Sequence, residues 1–453
     1  MVHSSKMSAK LKDGIIYCCL ALYFIITLLS WTYSNADIMV VLSFLAIGIF
    51  SFVKIVMAKK AITVQRLFYI FTFIFLFLAP LQQYTAGALL WEDSAQIFSD
   101  GDYLRANAMI LIFMVCMELA IAHFRIPPEK PEKKTLLSPE SSNATMSLAM
   151  MLVNIAIFAV LFVTDNIAMR SGFEVDSQNV SHQILNILRF FPVASFMITW
   201  MQMQRKHTKY RIDLLVYAME IAIIYFPFYG SVSRFLLFGV YLTVVSLLFS
   251  HTKGKGWYFL FLSIGFVVVL SSFNFFKYND FSDIGNFKLI QTGFIHADFD
   301  AYQMLMTTIN YTHDVGVCFG KNILTSVFSF VPRSIWTGKM LPTGQLALQY
   351  YGATFTNVSC PWIAEWYFAF GWFGIPIGGI VTGILMKWVD SFNVENGNFF
   401  KRAIFCIIAG LSIYIFRGAM LPTFSFTFAL VLTTMIVCFM FKLMAGFTTA
   451  AKK

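Results

Sequence analysis

The chain has 453 residues, 58% of them hydrophobic and 12% charged, with a mean hydropathy of +0.71. A soluble domain carries about twice that charged share, so a soluble enzyme or binding module is excluded, and the unbroken apolar runs exclude a transmembrane β-barrel. A formal net charge of +10 would suit nucleic acid, but the basic residues gather in short linkers between apolar runs, as in a membrane protein that keeps its cations on one face.

In chain order, apolar runs of about 20 residues recur from end to end. They predict an all-α polytopic membrane protein of about 12 transmembrane helices, a single integral domain over residues 1–453. The expected spans are Gly14–Trp31, Ile38–Met57, Leu67–Gln83, Ala106–Phe124, Ser147–Thr164, Ile187–Gln204, Leu214–Tyr229, Phe235–Ser250, Trp257–Phe276, Ile363–Val389, Ala403–Phe416 and Phe424–Phe441. The first run follows Lys6, Lys10 and Lys12 and lacks a small-residue cleavage site, so it reads as a helix that stays.

The linkers set an orientation. Lys59, Lys60 and Arg66, then the stretches around Lys130, Arg205, Lys253 and Lys401, together with both termini, hold roughly 23 of the 33 Lys and Arg, which makes that face cytoplasmic. The opposite face receives the segment Lys277–Pro361, far longer than an ordinary connection. Its aromatic and aliphatic content argues against disorder. Ala301–Ile309 and Asn322–Phe330 suit short helices on or in the outer leaflet, folded over a cavity. The seven cysteines show no metal-ligand spacing. Cys318 and Cys360 share the long segment, where a disulfide and two buried thiols are the alternatives.

Several cations on that outer face point to chemistry. Arg234 lies in GSVSRF at the tip of a helical hairpin, and Arg417 in YIFRGAMLP at the outer end of the eleventh span. Neither has an acid nearby in sequence. Taken singly, each suits snorkelling to headgroup phosphates. Arg333 and Lys339 stand on FVPRSIWTGKMLPTG, a turn braced by Pro and Gly that contains no acid. Together the four suggest a site for an anion of more than one charge, because guanidinium grips phosphate in bidentate fashion. A lipid-linked pyrophosphate is such an anion.

The acids are fewer. HADFD places Asp298 and Asp300 in a D-x-D pattern, which holds a metal in some glycosyltransferases. On a helix these carboxylates would diverge by roughly 200°, whereas His296 with Asp300, and Asp298 with Tyr302, would share a face. Capping and solvation is the competing reading. Glu365 sits among Trp362, Trp366 and Tyr367. It is either the structural partner of an outer arginine or a general base toward a sugar hydroxyl. The tryptophans, Trp336 included, either form an interfacial belt or stack on sugar rings. Gly371, Gly374, Gly378, Gly379 and Gly383 allow close helix packing. Glu118 and Glu220 lie within spans, and a structural hydrogen bond is the expectation for Glu220. Nucleotide, serine-hydrolase and zinc motifs are absent, so any energy comes with the substrate or from a gradient. No cofactor and no metal is expected.

The succession P-R-x-x-W-x-x-K at Pro332 to Lys339, A-E-W-Y-x-x-F-G-x-x-G at Ala364 to Gly374 and R-G at Arg417-Gly418, with S-R at Ser233-Arg234, resembles the Wzy-type O-antigen polymerases. Many relatives have a proline directly after the lysine, where this chain has Met340. The resemblance implies a GT-C-like glycosyltransferase of the bacterial inner membrane with its active site facing the periplasm. It implies a glycan moved from undecaprenyl pyrophosphate to another lipid-linked repeat unit, with inversion and without metal. Arg234, Arg333, Lys339 and Arg417 would bind the leaving pyrophosphate. Glu365, His296 or Asp300 would act on the acceptor hydroxyl, and Arg170, Asp298, Tyr302, Trp336 and Trp362 would contact glycan or assist. The partners to expect are lipid-linked donor and acceptor, membrane lipids and a chain-length regulator. An O-antigen ligase and a lipid-linked oligosaccharide flippase are the competing functions.

Overall fold

The computed structural model describes residues 2–33, 36–90, 96–127, 144–164, 180–206, 211–226, 233–249, 282, 285, 294–295, 297–355, 357–394 and 398–450. The described residues form helices and connecting turns, with no strand among them. The chain opens with α1 (Val2–Leu29), α2 (Ile38–Met57), α3 (Val64–Thr85) and α4 (Asp100–His123). Next come α5 (Ala144–Val163), α6 (Val180–Arg189), α7 (Phe191–Lys206), α8 (Ile212–Ile224) and α9 (Arg234–Phe249). Four short helices follow: α10 (Ala301–Val315), α11 (Lys321–Val327), α12 (Thr343–Tyr350) and α13 (Trp362–Phe370). The chain closes with α14 (Gly374–Ser391), α15 (Phe399–Arg417) and α16 (Met420–Ala450).

Eight helical stretches among the described residues are long and apolar enough to cross a membrane, so the chain is a multi-pass membrane protein. Asp13–Leu29 and Arg234–Phe249 are shorter apolar helices. Of the expected seventh span, the described helix α8 has 13 residues, short of the ~20 that a ~30 Å core needs, and residues 227–229 lie outside the described residues. The expected ninth span, 257–276, lies outside the described residues.

Helix starts follow their caps. The Asp37 carboxylate accepts from the N–H groups of Met39 and Val40 to begin α2, Thr63 accepts from Arg66 N–H to begin α3, and Asn398 does the same for α15. The linker cations are partly structural. Arg66 is buried and donates to the carbonyls of Ile55 and Ala61 and to the Tyr17 hydroxyl. Glu118 accepts from Lys54, Gln65 and Tyr69, each at 2.6 Å, which ties α2, α3 and α4 together. Arg211 pairs with Asp213 at 2.6 Å.

The expected tenth span is not one continuous helix. It folds into a hairpin, because Gly371 turns the chain at φ +61°. α13 then lies antiparallel to α14: Trp362 Nε1 donates to Thr382 Oγ1 at 2.8 Å, the Trp366 ring lies against Gly378, and the Trp366 carbonyl against Gly374. In a straight helix Trp362 and Thr382 would be about 30 Å apart. Within the apolar stretch Trp362–Asp390 the long helix is α14, and α13 folds back along it. α14 in turn lies tight on α4. A Cβ at Gly379 would sit 2.6 Å from the Phe113 carbonyl oxygen, and one at Gly383 2.5 Å from that of Met117. Helix backbones in lipid approach this closely only where small residues line the contact.

Gly383→Leu is therefore expected to overpack the α4–α14 contact at a cost of about 1–3 kcal/mol. Thermal unfolding in detergent should show a lower Tm; a variant that melts with the wild type would mean that the two helices are not in contact.

Candidate active site

Asp298 and Asp300 of the long segment are buried within the bundle, whereas His313, Asp314 and Lys321 are exposed. Phe75 lies about 17 Å along α3 from Val64, near the middle of a ~30 Å core. Its ring stacks on Phe299 at 5.3 Å and meets Phe235 edge-on at 5.8 Å. A π-helical turn, Ile74–Leu78, marks this level of α3. π-turns often accompany functional sites, because they re-aim side chains. Gln82 and Gln83, near the end of α3, grip the descending chain: Gln82 Oε1 accepts from Phe294 N–H, and Gln83 Nε2 donates to the carbonyls of Phe294 and Phe299.

Two arginines meet the two aspartates here. Arg234, the first residue of α9, pairs with Asp298 at 2.8 Å, and Arg417, the last of α15, pairs with Asp300 at 2.6 Å. Arg417 also donates to the Asp298 carbonyl at 3.0 Å and lies 4.0 Å from the centre of the Phe235 ring. Ser359 N–H donates to the other oxygen of Asp300. Both aspartates are buried. Asp298 lies in a 3-10 turn and Asp300 just before α10, and the Asp300 side chain does not cap that helix. Burial explains the pairing: a carboxylate taken out of water is stabilised by a cation at hydrogen-bond distance. Arg234 Nη1 is buried with no hydrogen-bond partner among the described residues.

Glu365 is buried and pairs with none of these arginines. Its Oε2 accepts from Asn322 Nδ2 at 2.8 Å and Thr343 Oγ1 at 2.6 Å, and its Oε1 accepts from Met420 N–H at 2.8 Å. The Cys318 thiol donates to Asn322 Oδ1 at 3.0 Å, which orients the amide so that its NH2 faces the carboxylate. Three separate segments thus converge on one side chain. Thr343 opens α12, four residues after Lys339, and Met420 opens α16, three after Arg417.

Arg333 and Lys339 form a different arrangement. Arg333 donates to the carbonyls of Lys339 (2.7 Å) and Met340 (2.9 Å), and Lys339 Nζ to those of Ser329 (2.7 Å) and Val331 (2.9 Å). No carboxylate pairs with either among the described residues. Arg333 Nε is buried without a partner there. Burial, with the adjacent Arg333 charge adding to it, pulls the Lys339 ammonium down to about 8. Burial lowers Arg333 as well. The charged form of Lys339 is thus unfavourable in the folded protein below pH 8, and that penalty fades as pH rises from 8 toward 10.5.

Other candidates fall elsewhere. Tyr302 is buried, donates to Asn107 Oδ1 at 2.8 Å and stacks on Tyr103 at 5.9 Å, so it packs α10 onto α4. Trp362 stacks on Phe424. Trp336 is partly exposed within the Arg333–Lys339 turn. His296 and Arg170 lie outside the described residues. Cys318 and Cys360 do not pair; Cys360 Sγ lies 3.8 Å from Thr308 Oγ1. Glu220 is buried, and its Oε2 has no hydrogen-bond partner among the described residues. No group of three or more His, Cys, Asp or Glu there could hold a metal ion. Sequence reasoning missed Asn322, Thr343 and the Met420 amide, since no spacing connects three donors so far apart in the chain with Glu365.

The fold defines a multi-pass helical membrane protein in which part of the long segment packs back into the bundle and pairs Asp298 and Asp300 with Arg234 and Arg417. The chain belongs to the O-antigen polysaccharide polymerase Wzy family, whose model matches residues 15–446. Members polymerise O-antigen repeat units in a membrane and act on lipid-linked oligosaccharides, which separates this chain from the ligase and flippase readings. No curated protein and no solved structure matches it.

The Arg417–Asp300 pair yields a test. Arg417→Gln leaves a buried carboxylate without its cation and should lower stability by about 3–5 kcal/mol. Arg417→Met combined with Asp300→Leu should recover much of that loss in Tm. A double variant as unstable as the single one would show that the pair does not act as a unit.

Proposed function

We propose that the chain is an inverting, metal-independent glycosyltransferase of the bacterial inner membrane. It joins undecaprenyl-pyrophosphate-linked repeat units on the periplasmic side, with both termini cytoplasmic. The observation that carries this reading is the pair Arg333 and Lys339, two recessed cations that meet only carbonyl oxygens of their own turn. Carbonyls satisfy donors without neutralising charge, so the turn retains affinity for a multiply charged anion.

The acceptor hydroxyl oxygen attacks the anomeric carbon from the face opposite the lipid pyrophosphate. The carbon–oxygen bond to the pyrophosphate breaks, and its electron pair leaves with the pyrophosphate. Arg333 and Lys339 stabilise the charge that develops there. Arg417 and Arg234, paired with Asp300 and Asp298, brace the chain, and Arg234 Nη1 and Arg333 Nε are buried donors without a partner among the described residues. The acceptor proton goes to a base of the HADFD stretch, with Asp300 and His296 the candidates. A stabilised pyrophosphate leaving group asks little of that base. Glu365 positions rather than reacts, since its oxygens already hold the three segments that carry the cations. Glycan would pass Trp336, and a chain-length regulator would act from outside this chamber.

The test is complementation of a host that lacks its own polymerase, read as the glycan ladder on a gel. Arg333→Ala and Lys339→Ala should each reduce the ladder to a single capped repeat at normal protein level. An unchanged ladder in both would sink the reading. Lys339 also predicts a pH dependence. In the free enzyme it carries its charge below about pH 8, so kcat/KM should fall as pH rises through 8. Lys339→Arg should abolish that fall, because guanidinium stays charged. A fall that persists in this variant would assign the titration to another group.

A further inference from the structure

We infer that an apolar groove walled by α14, α15 and α16 seats the polyisoprenoid chain of the lipid-linked substrate. This rests on the pyrophosphate reading of the cations above it. The groove holds a cavity of about 200 Å³, lined among others by Val64, Trp362, Met386, Trp388, Phe416 and Phe424. Its roof is aromatic: Trp362 stacks on Phe424 at 5.9 Å and meets Phe416 edge-on at 6.2 Å.

The hydroxyls in the wall are all turned away from the space. Thr382 Oγ1 accepts from Trp362, Ser412 Oγ donates to the Ile408 carbonyl, and Thr427 Oγ1 donates to that of Thr423. Without polar partners the cavity has nothing to hold water. It is a dry site for hydrocarbon.

Continuity with the chamber identifies the occupant. Phe416 immediately precedes Arg417, Trp362 lies one helical turn before Glu365, and Phe424 one turn after Met420. From this roof the groove runs down to Val64, the first residue of α3, and to Trp388 near the end of α14. Trp388 is 50% exposed and Leu385 44%, so the groove opens sideways toward lipid. A lipid whose charged head is drawn into the chamber would place its tail here. A bilayer phospholipid fits less well. Its phosphate sits at the headgroup level, whereas Arg417 lies near the middle of α3. The volume equals roughly seven waters at ~30 Å³ each, room for the first carbons of a chain, the remainder leaving past Leu385 and Trp388.

The test is photo-crosslinking of the full chain in membranes with a polyprenyl pyrophosphate that carries a diazirine near its head, with adducts mapped by mass spectrometry. Adducts are expected on peptides containing Met386–Trp388 and Ile408–Phe416, suppressed by unlabelled polyprenyl pyrophosphate and not by phosphatidylglycerol. Ser412→Phe fills the cavity; losing the burial of two methylene-sized groups corresponds to about a tenfold lower adduct yield. Adducts elsewhere in the wild type, or equal competition by phosphatidylglycerol, would overturn the inference, whether or not the variant folds. Competition by the uncharged polyprenol as strong as by the pyrophosphate would support the groove while refuting the cations as its phosphate site.

Discussion

The buried carboxylate of Glu365 is the constraint on which the chamber depends. A charge taken out of water without a cation must be met by several hydrogen-bond donors at once. Those donors come from α11, from the start of α12 and from the start of α16. Each donor is anchored to something the site needs. Thr343 follows the Arg333–Lys339 turn, and Met420 follows the Arg417 corner. Asn322 belongs to a short helix whose buried side is polar. The carboxylate can gather them only because α13 folds back along α14, which brings Glu365 inside the bundle rather than onto its lipid face.

The four cations divide into two kinds. Arg234 and Arg417 are neutralised by Asp298 and Asp300 and fasten the descending chain between α9, α15 and α3. Arg333 and Lys339 are held by carbonyls alone, which fixes their geometry and leaves their charge available. The first pair thus ties helices together, and the second braces its own turn.

Depth gives the arrangement its chemical force. Water screens charges at a surface, and a recessed site loses that screening. Burial already lowers Lys339 to about 8, so its charge is costly in the folded protein. The aromatic contacts of Phe75, Phe299 and Phe235 surround the Arg417–Asp300 pair with apolar rings, and the π-turn of α3 lies at that same level.

The sequence by itself determined the membrane class and most spans, because hydropathy and length are local properties that a bilayer reads residue by residue. It also singled out Arg234, Arg333, Lys339, Arg417 and Glu365, because ionisable groups are conspicuous in apolar surroundings. It did not reveal the α13–α14 hairpin. The run Ile363–Val389 is apolar apart from Glu365 and Lys387, and the chain reverses at the positive φ of Gly371. Nor did it reveal which acid meets which cation. Asp298 and Asp300 find arginines more than sixty residues from Asp298 and more than a hundred from Asp300, while Glu365 finds none. Such pairings are decided by the tertiary structure alone, since the free energy of burying a charge depends on what surrounds it in space and not on its neighbours in the chain.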